Sequence, residues 1–351
     1  MAIGVPNART DVLEYSIIIG IVAMEGRGFE YPTDTVVAKN GRLYVLNRSR
    51  DSGERGVRVT VVDLDSEYYG TFGHYGDGDG QLVAPTCAAE DSQGRIHVSD
   101  DYTHCITAFD YEGNFVSKWG ALGADKGELD GPSGVAFDAD DNLYVADTHN
   151  NRVQKFTASG VFLLSFGSQG SAEGQLNLPR GVTVALGGDV YVADWGNDRI
   201  QRFSPDGDFI AAYGRSGQGD GELQRPSSVA VDERGYMYVS DWGNERVQVL
   251  DVDGKPLQVL RGQATLSKWA ANFLEINREE GEARASANLE PDMASLDLDD
   301  PHAESAHIEK LFWSPMSVKL DEAGRLYVTE GNRHRIQVYQ RTSQSTSRVE
   351  G

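Results

Sequence analysis

The stretch PSGVAFDADDNLYVADTHNNRVQKFTASGVFLLSFG, residues 132–167, decides the fold. It holds four short runs, GVAF, LYVA, RVQKF and FLLSFG, each rich in β-branched and aromatic residues, and each reads as a strand. The joints between them, Asp-Ala-Asp-Asp-Asn, Asp-Thr-His-Asn-Asn and Ala-Ser-Gly, are turn sequences. The same unit is written again from Pro179 and from Pro226, and in degenerate form from Pro32, Pro85 and Pro315. The prolines at 85, 132, 179 and 226 are spaced by 47 residues. The first spacing is longer by six residues, lying in RSRDSGERG, and the last by 42.

Four antiparallel strands in a unit of this length mark one blade of a β-propeller. Six copies are present, but the sixth ends at Tyr339, after its third strand. Its fourth strand lies at the other end of the chain. A glycine stands twelve residues before the motif proline at Gly73, Gly120, Gly167 and Gly214, and Gly20 stands so before Pro32. Residues 14–20, EYSIIIG, are therefore the expected outer strand of the sixth blade. Closing the ring this way leaves no open sheet edge. The reading is all-β: one six-bladed propeller domain over residues 11–340, an insertion at 263–312, and flexible termini at 1–10 and 341–351.

Composition agrees and excludes. The 351 residues include 40 glycines, about 11 per cent against a usual ~7 per cent, as many tight turns require. With 32 basic and 54 acidic residues the formal charge is -22, which disfavours nucleic acid and an anionic membrane as partners. Two cysteines, Cys87 and Cys105, make no disulfide framework. The apolar run SIIIGIVA at 16–23 is too short to span a bilayer and lacks a basic lead, so a cytoplasmic location is expected.

The string YVAD-(T/W)-x-N-x-R-(V/I)-Q-x-F, with GVA before it and DG-x-(L/F) after it, resembles the NHL repeat. The resemblance spans roughly residues 14–340, strongest in copies three to five. In copy two Cys105 replaces the arginine found at Arg152, Arg199, Arg246 and Arg335. It implies a six-bladed propeller, as the spacing does. Members of this family bind RNA on a basic rim or serve as sensor domains, and an NHL-like amidating lyase holds zinc with channel histidines. The acidity here argues against RNA, and a second domain that would support a sensor role is not expected from the sequence.

The recurrent pairs Asp147–Arg152, Asp194–Arg199 and Asp241–Arg246 read as turn braces, because a ligand site breaks repeat symmetry. Departures from the repeat are the better candidates. After the turn acid stand Arg48, Asp101, Thr148, Trp195, Trp242 and Gly331, and the pairs after the motif prolines also differ: Thr33-Asp34, Thr86-Cys87, Ser133-Gly134, Arg180-Gly181, Ser227-Ser228 and Met316-Ser317. The rim set is Trp195, Trp242, Arg180, Arg48, Asp34, Asp101 and His149, with the tryptophan pair and Arg180 as anchors for a protein partner or a small-molecule ligand in the channel.

Within the insertion, Leu266, Trp269, Ala270, Phe273 and Leu274 fall at helical spacing, so a helix starts near Thr265. The acidic remainder reads as a loop with little regular structure. The insertion should leave from the same rim, as a lid, a docking arm or a side decoration. No catalytic motif, cofactor fingerprint or definite metal set is found. No histidine follows a motif proline; His302 and His307 with Glu304 or Glu309 are a weak cluster, and calcium at Asp34 or on channel carbonyls stays open. The leading reading is a non-catalytic binding or scaffold propeller. The alternative is a metal-assisted propeller hydrolase or lyase at the channel mouth, near Arg180, Asp34, Cys87 and the tryptophans.

Overall fold

The chain is described here by a computed structural model over residues 12–49, 55–292 and 300–342. Strand β1 (Leu13–Ile19) precedes blade 1, which is β2 (Pro32–Val37), β3 (Leu43–Asn47), β4 (Arg58–Val62) and β5 (Tyr68–Phe72). Blade 2 is β6 (Pro85–Glu90), β7 (Ile96–Asp100), β8 (Cys105–Phe109) and β9 (Phe115–Trp119). Blade 3 is β10 (Pro132–Phe137), β11 (Asn142–Asp147), β12 (Arg152–Thr157) and β13 (Phe162–Phe166). Blade 4 is β14 (Pro179–Val184), β15 (Val190–Asp194), β16 (Arg199–Phe203) and β17 (Phe209–Tyr213). Blade 5 is β18 (Pro226–Val231), β19 (Met237–Asp241), β20 (Arg246–Leu250) and β21 (Pro256–Leu260). Helices α1 (Lys268–Ile276), α2 (Arg278–Ser286) and α3 (Pro301–His307) follow, then β22 (Pro315–Leu320), β23 (Leu326–Glu330) and β24 (Arg335–Arg341) of blade 6.

Each blade is a four-stranded antiparallel sheet, and the sixth has the order β1-β24-β23-β22. The ring closes as the glycine spacing requires, with Leu13 opposite Arg341 and Ile19 opposite Ile336. Second strands such as β3, β7, β15 and β19 are buried at every residue. A blade packed between two neighbours hides both its faces, so the usual in-out alternation disappears. The apolar side chains meet between blades: Tyr44 and Phe72 of blade 1 share a cluster with Ile96, Val98 and Phe109 of blade 2. The innermost strands approach closely around the channel. A Cβ on Gly134 would lie 2.3 Å from the Arg180 carbonyl oxygen, so only glycine fits there.

Two expectations need correction. The acidic half of the insertion is not simply a loop: α2 uses the helix formers of REEGEARAS, and α3 starts with Asp300 as N-cap, donated to by the His302 amide, and Pro301 at its first turn. At the chain's end, Arg341 still belongs to β24 and its guanidinium meets Glu233 at 2.7 Å. Of the termini expected to be flexible, 1–10 and 341–351, residues 1–10 and 343–351 lie outside the described residues, as do residues 50–54 of the first insertion and 293–299 of the second.

The second insertion does two jobs. Ser267 caps α1 and bonds the Gly20 carbonyl, while Trp269 is buried with its Nε1 donating to the Ser66 carbonyl at 2.7 Å. Helix α1 thus seals the seam between blade 6 and blade 1. Helix α3 lies at the channel mouth.

Candidate functional site

The recurrent polar residues are braces, and the structure adds their partners. Asp147 accepts from the Arg152 Nε at 2.7 Å, from the Asn150 and Gln154 amides, and from the backbone N–H of Asp130 at 2.6 Å. Arg152 in turn donates to the carbonyls of Ala124, Asp125 and Glu128. Blades 4 and 5 repeat this set through Asp194 and Asp241. Asp and Arg therefore tie the hairpin to the incoming blade link as well as to each other.

A second recurrent device escaped the sequence reading. The residue closing each of these turns has a positive φ between 50 and 57 at His104, Asn151, Asp198, Glu245 and His334. Its side chain accepts the N–H of the residue before the next blade's proline: Gly131, Leu178, Arg225, Ser314 and Tyr31 respectively. Asn, Asp and His tolerate the left-handed region best, and four of the five are of these types, with Glu245 the exception. Burial pushes His334 down to about 4, so it accepts as a neutral imidazole. Burial pushes Glu245 up to about 7, against the hydrogen bonds from His302 and Ser314 that favour its charge.

The channel mouth is a cavity of about 780 Å³, lined among others by Arg48, Arg180, Trp195, Arg225, Trp242, Glu245 and His302. Trp195 and Trp242 each open a short 3-10 turn after the brace aspartate, which presents both rings at the same level of adjacent blades. Their centroids are 6.5 Å apart. The row continues to His302, 6.5 Å from Trp242, and to Trp313, 5.8 Å beyond. His302 is held by Glu245 and by the Trp313 Nε1–H at 3.1 Å. Both tryptophans are half-buried rather than fully exposed.

The guanidinium of Arg180 lies 5.5 Å from the Trp195 ring and that of Arg225 lies 5.0 Å from it. Arg48 is paired with Asp101 at 2.9 Å. Arg180 has no such partner: its Nε is buried without a hydrogen bond, and burial pushes its pKa down, partly offset by Asp101. Of the expected rim residues, Arg48, Arg180, Trp195 and Trp242 thus come together at the mouth, with Asp101 behind Arg48. His149 stands apart on blade 3, half-exposed and bonded to Asp130 at 3.0 Å. Asp34 is not on the rim at all. His302, Trp313 and Arg225 were not anticipated there; the tryptophan and the arginine each sit within two residues of a motif proline, which is the signal that would have found them.

Asp34 lies 1 % exposed in the channel below, a second cavity of about 720 Å³. Its Oδ2 accepts from the Ala88 amide at 2.9 Å and meets the Lys319 ammonium at 3.1 Å. Lys319 also reaches the Ala88 carbonyl at 3.3 Å and the Cys87 sulfur at 3.7 Å. A lysine ammonium therefore occupies the place at Asp34 where calcium was entertained. Burial works against the Lys319 charge, but Asp34 and Cys87 outweigh it and its pKa is raised. Burial pushes the Cys87 thiol up to about 12, so it stays protonated. The possible cluster in the insertion does not assemble: His307 bonds the Ala303 carbonyl, Glu304 pairs with Arg261 and Glu309 with Arg284. Among the described residues no three His, Cys, Asp or Glu side chains converge as a metal site.

Residues 129–156, 176–203 and 312–339 match the NHL repeat family. The chain is a six-bladed propeller that carries NHL repeats. The matches fall on blades 3, 4 and 6, whereas the sequence reading had placed blade 5 above blade 6. No curated protein matches the chain as a relative. Among solved structures, the NHL propeller is similar to a streptogramin B lyase, with a TM-score of 0.56 at 12 % identity over 94 % of this chain and 97 % of that one. A Kuenenia stuttgartiensis hydrazine synthase chain gives 0.53 at 16 % identity over 90 % and 96 %. A chain of a nidogen/laminin complex gives 0.50 at 17 % identity over 65 % and 79 %. At these identities the likeness is one of fold. No helix among the described residues is long and apolar enough to cross a membrane.

Proposed function

We propose that this NHL propeller is a binding module that holds a small-molecule ligand in the mouth of its channel. The observation that supports this reading is the break in repeat symmetry: blades 4 and 5 and the inserted helix α3 place Trp195, Trp242 and His302 in one row along a cavity of about 780 Å³. Cavities of roughly 300–1,000 Å³ with aromatic walls and a few polar groups are the size and character of ligand pockets. We place the protein in the cytoplasm, in keeping with Cys87 and Cys105 being free thiols.

Fold likeness to a lyase favours no chemistry at 12 % identity. A metal-assisted reaction lacks converging donors among the described residues, and a protonated Cys87 is a poor nucleophile. A protein partner on the same rim is the second reading, favoured by Tyr102, which is 70 % exposed on the turn beside Asp101.

Native mass spectrometry of the protein after incubation with a metabolite extract tests the proposal. The wild type should retain a small-molecule mass that the Trp195→Ala, Trp242→Ala double variant loses. Equal retention by both, or retention of nothing by the wild type, would sink it. A partner protein that co-purifies with the wild type and is lost with Tyr102→Ala would support the second reading instead.

A further inference from the structure

The charge at the mouth runs opposite to the charge of the chain. Over a formal charge of -22, the cavity gathers Arg48, Arg180 and Arg225. Its acids are already engaged: Asp300 caps α3, and Glu245 bonds His302 and the Ser314 amide. Arg48 is committed to Asp101. Arg180 and Arg225 flank Trp195, and among the described residues neither side chain donates to a protein acceptor.

An arginine of this kind needs a reason. A guanidinium taken from water without a carboxylate loses hydration and gains nothing comparable from a ring face alone. Elsewhere in this propeller Arg152, Arg199 and Arg246 each make several bonds to an aspartate and to link carbonyls, and Arg58 and Arg333, whose Nε is likewise unpaired, still bond backbone carbonyls through their Nη atoms. Arg180 also stands where the other blades carry Thr33, Thr86, Ser133, Ser227 and Met316, so the channel ring has one charged member. It lines both the mouth and the channel beneath it.

We propose that the mouth takes a small organic oxyanion carried on a flat ring, an aromatic carboxylate, with the carboxylate on Arg180 and the ring along Trp195 and Trp242. This rests on the mouth being a ligand site and names its ligand class. The planar fork of arginine matches a carboxylate through two parallel N–H···O bonds. Arg225 adds positive potential at the entrance, and the indoles supply apolar faces to an aromatic ring.

The test uses a matched pair of probes, 2-naphthoate and 2-naphthamide, which share ring and shape and differ in charge. Binding is read by titration calorimetry and by quenching of tryptophan fluorescence. The wild type should bind the naphthoate ~10- to 100-fold more tightly than the naphthamide, as a hydrogen-bonded charge pair provides. Arg180→Gln should remove that preference, weakening naphthoate far more than naphthamide. Added salt should weaken naphthoate and not naphthamide. Because the Arg180 side chain donates to no protein acceptor, the variant should melt no lower than the wild type. A large fall in melting temperature would mark Arg180 as structural and overturn the assignment. So would a naphthoate preference that survives in Arg180→Gln. Equal binding of the two probes to the wild type, lost in the double tryptophan variant, would overturn the anion assignment while leaving the mouth reading intact. Failure of both probes to bind the wild type up to their solubility limits would overturn both.

Discussion

His334 carries a pH dependence that can be worked out from one bond. Its Nδ1 accepts the Tyr31 N–H at 3.0 Å, which only the neutral ring can do. Folding lowers its pKa from 6.5 to about 4, so the folded state binds fewer protons than the unfolded state in that window. The stability this residue contributes is complete above about 6.5 and is lost as the pH falls through about 4. Asn151 makes the equivalent bond to Leu178 in blade 3 without a titratable group. His334→Asn should therefore keep the bond and gain on the wild type by a few degrees in melting temperature as the pH is lowered from neutrality. Parallel melting curves at all pH values would refute it. The strap itself was hidden from sequence reading because its acceptors are chemically mixed, an amide, two imidazoles and two carboxylates. Only backbone conformation unites them.

At the scale of elements, the seam between blades 6 and 1 should be the point on which stability depends. Strand β1 supplies the outer edge of blade 6, and Trp269 fills the gap beside Phe29 with ring centroids 6.0 Å apart. Deleting residues 1–20 exposes the edge of β24 and should lower the melting temperature sharply; a truncation that melts like the full chain would contradict the closure. Trp269→Ala should cost ~3–5 kcal/mol in denaturant unfolding, as for other large aromatics removed from a core. A cost below ~1 kcal/mol would show α1 to be an ornament. The closing strand was legible because glycine and proline hold a fixed distance in every blade. The insertion was legible only in its first helix, where Trp269 and Phe273 lie on one apolar face. Helix α3 is short and polar, and nothing in its sequence says that His302 will meet Glu245, which lies on another blade's turn.

For the whole molecule, the relevant quantity is the imbalance of charge. A formal -22 repels itself in the compact state, so added salt should raise the melting temperature. A melting temperature that falls with salt would mean that the ion pairs between blades outweigh this repulsion. Opposite salt responses of stability and of naphthoate binding would separate the surface from the mouth in a single set of measurements. The fold class followed from spacing because a repeat writes one rule six times. The mouth did not, since function there resides in the residues that break the rule and in a loop returning from elsewhere.

The closure of blade 6 also sets a clock. Strand β1 ends at Ile19 and its partner β24 ends at Arg341, so the propeller's first strand waits for its last. At ~5–20 residues per second, the roughly 320 residues between them take on the order of 15–60 seconds to synthesise. Throughout that interval the run Ile17, Ile18, Ile19 lacks its native strand partner, although Ile19 has Phe29, Leu43 and Val45 to pack on, and an unpaired apolar β segment of this kind is prone to pair with an open edge. Strand β1 must therefore wait unpaired while the rest of the propeller is made, and crowding of polysomes is a condition under which this propeller should aggregate.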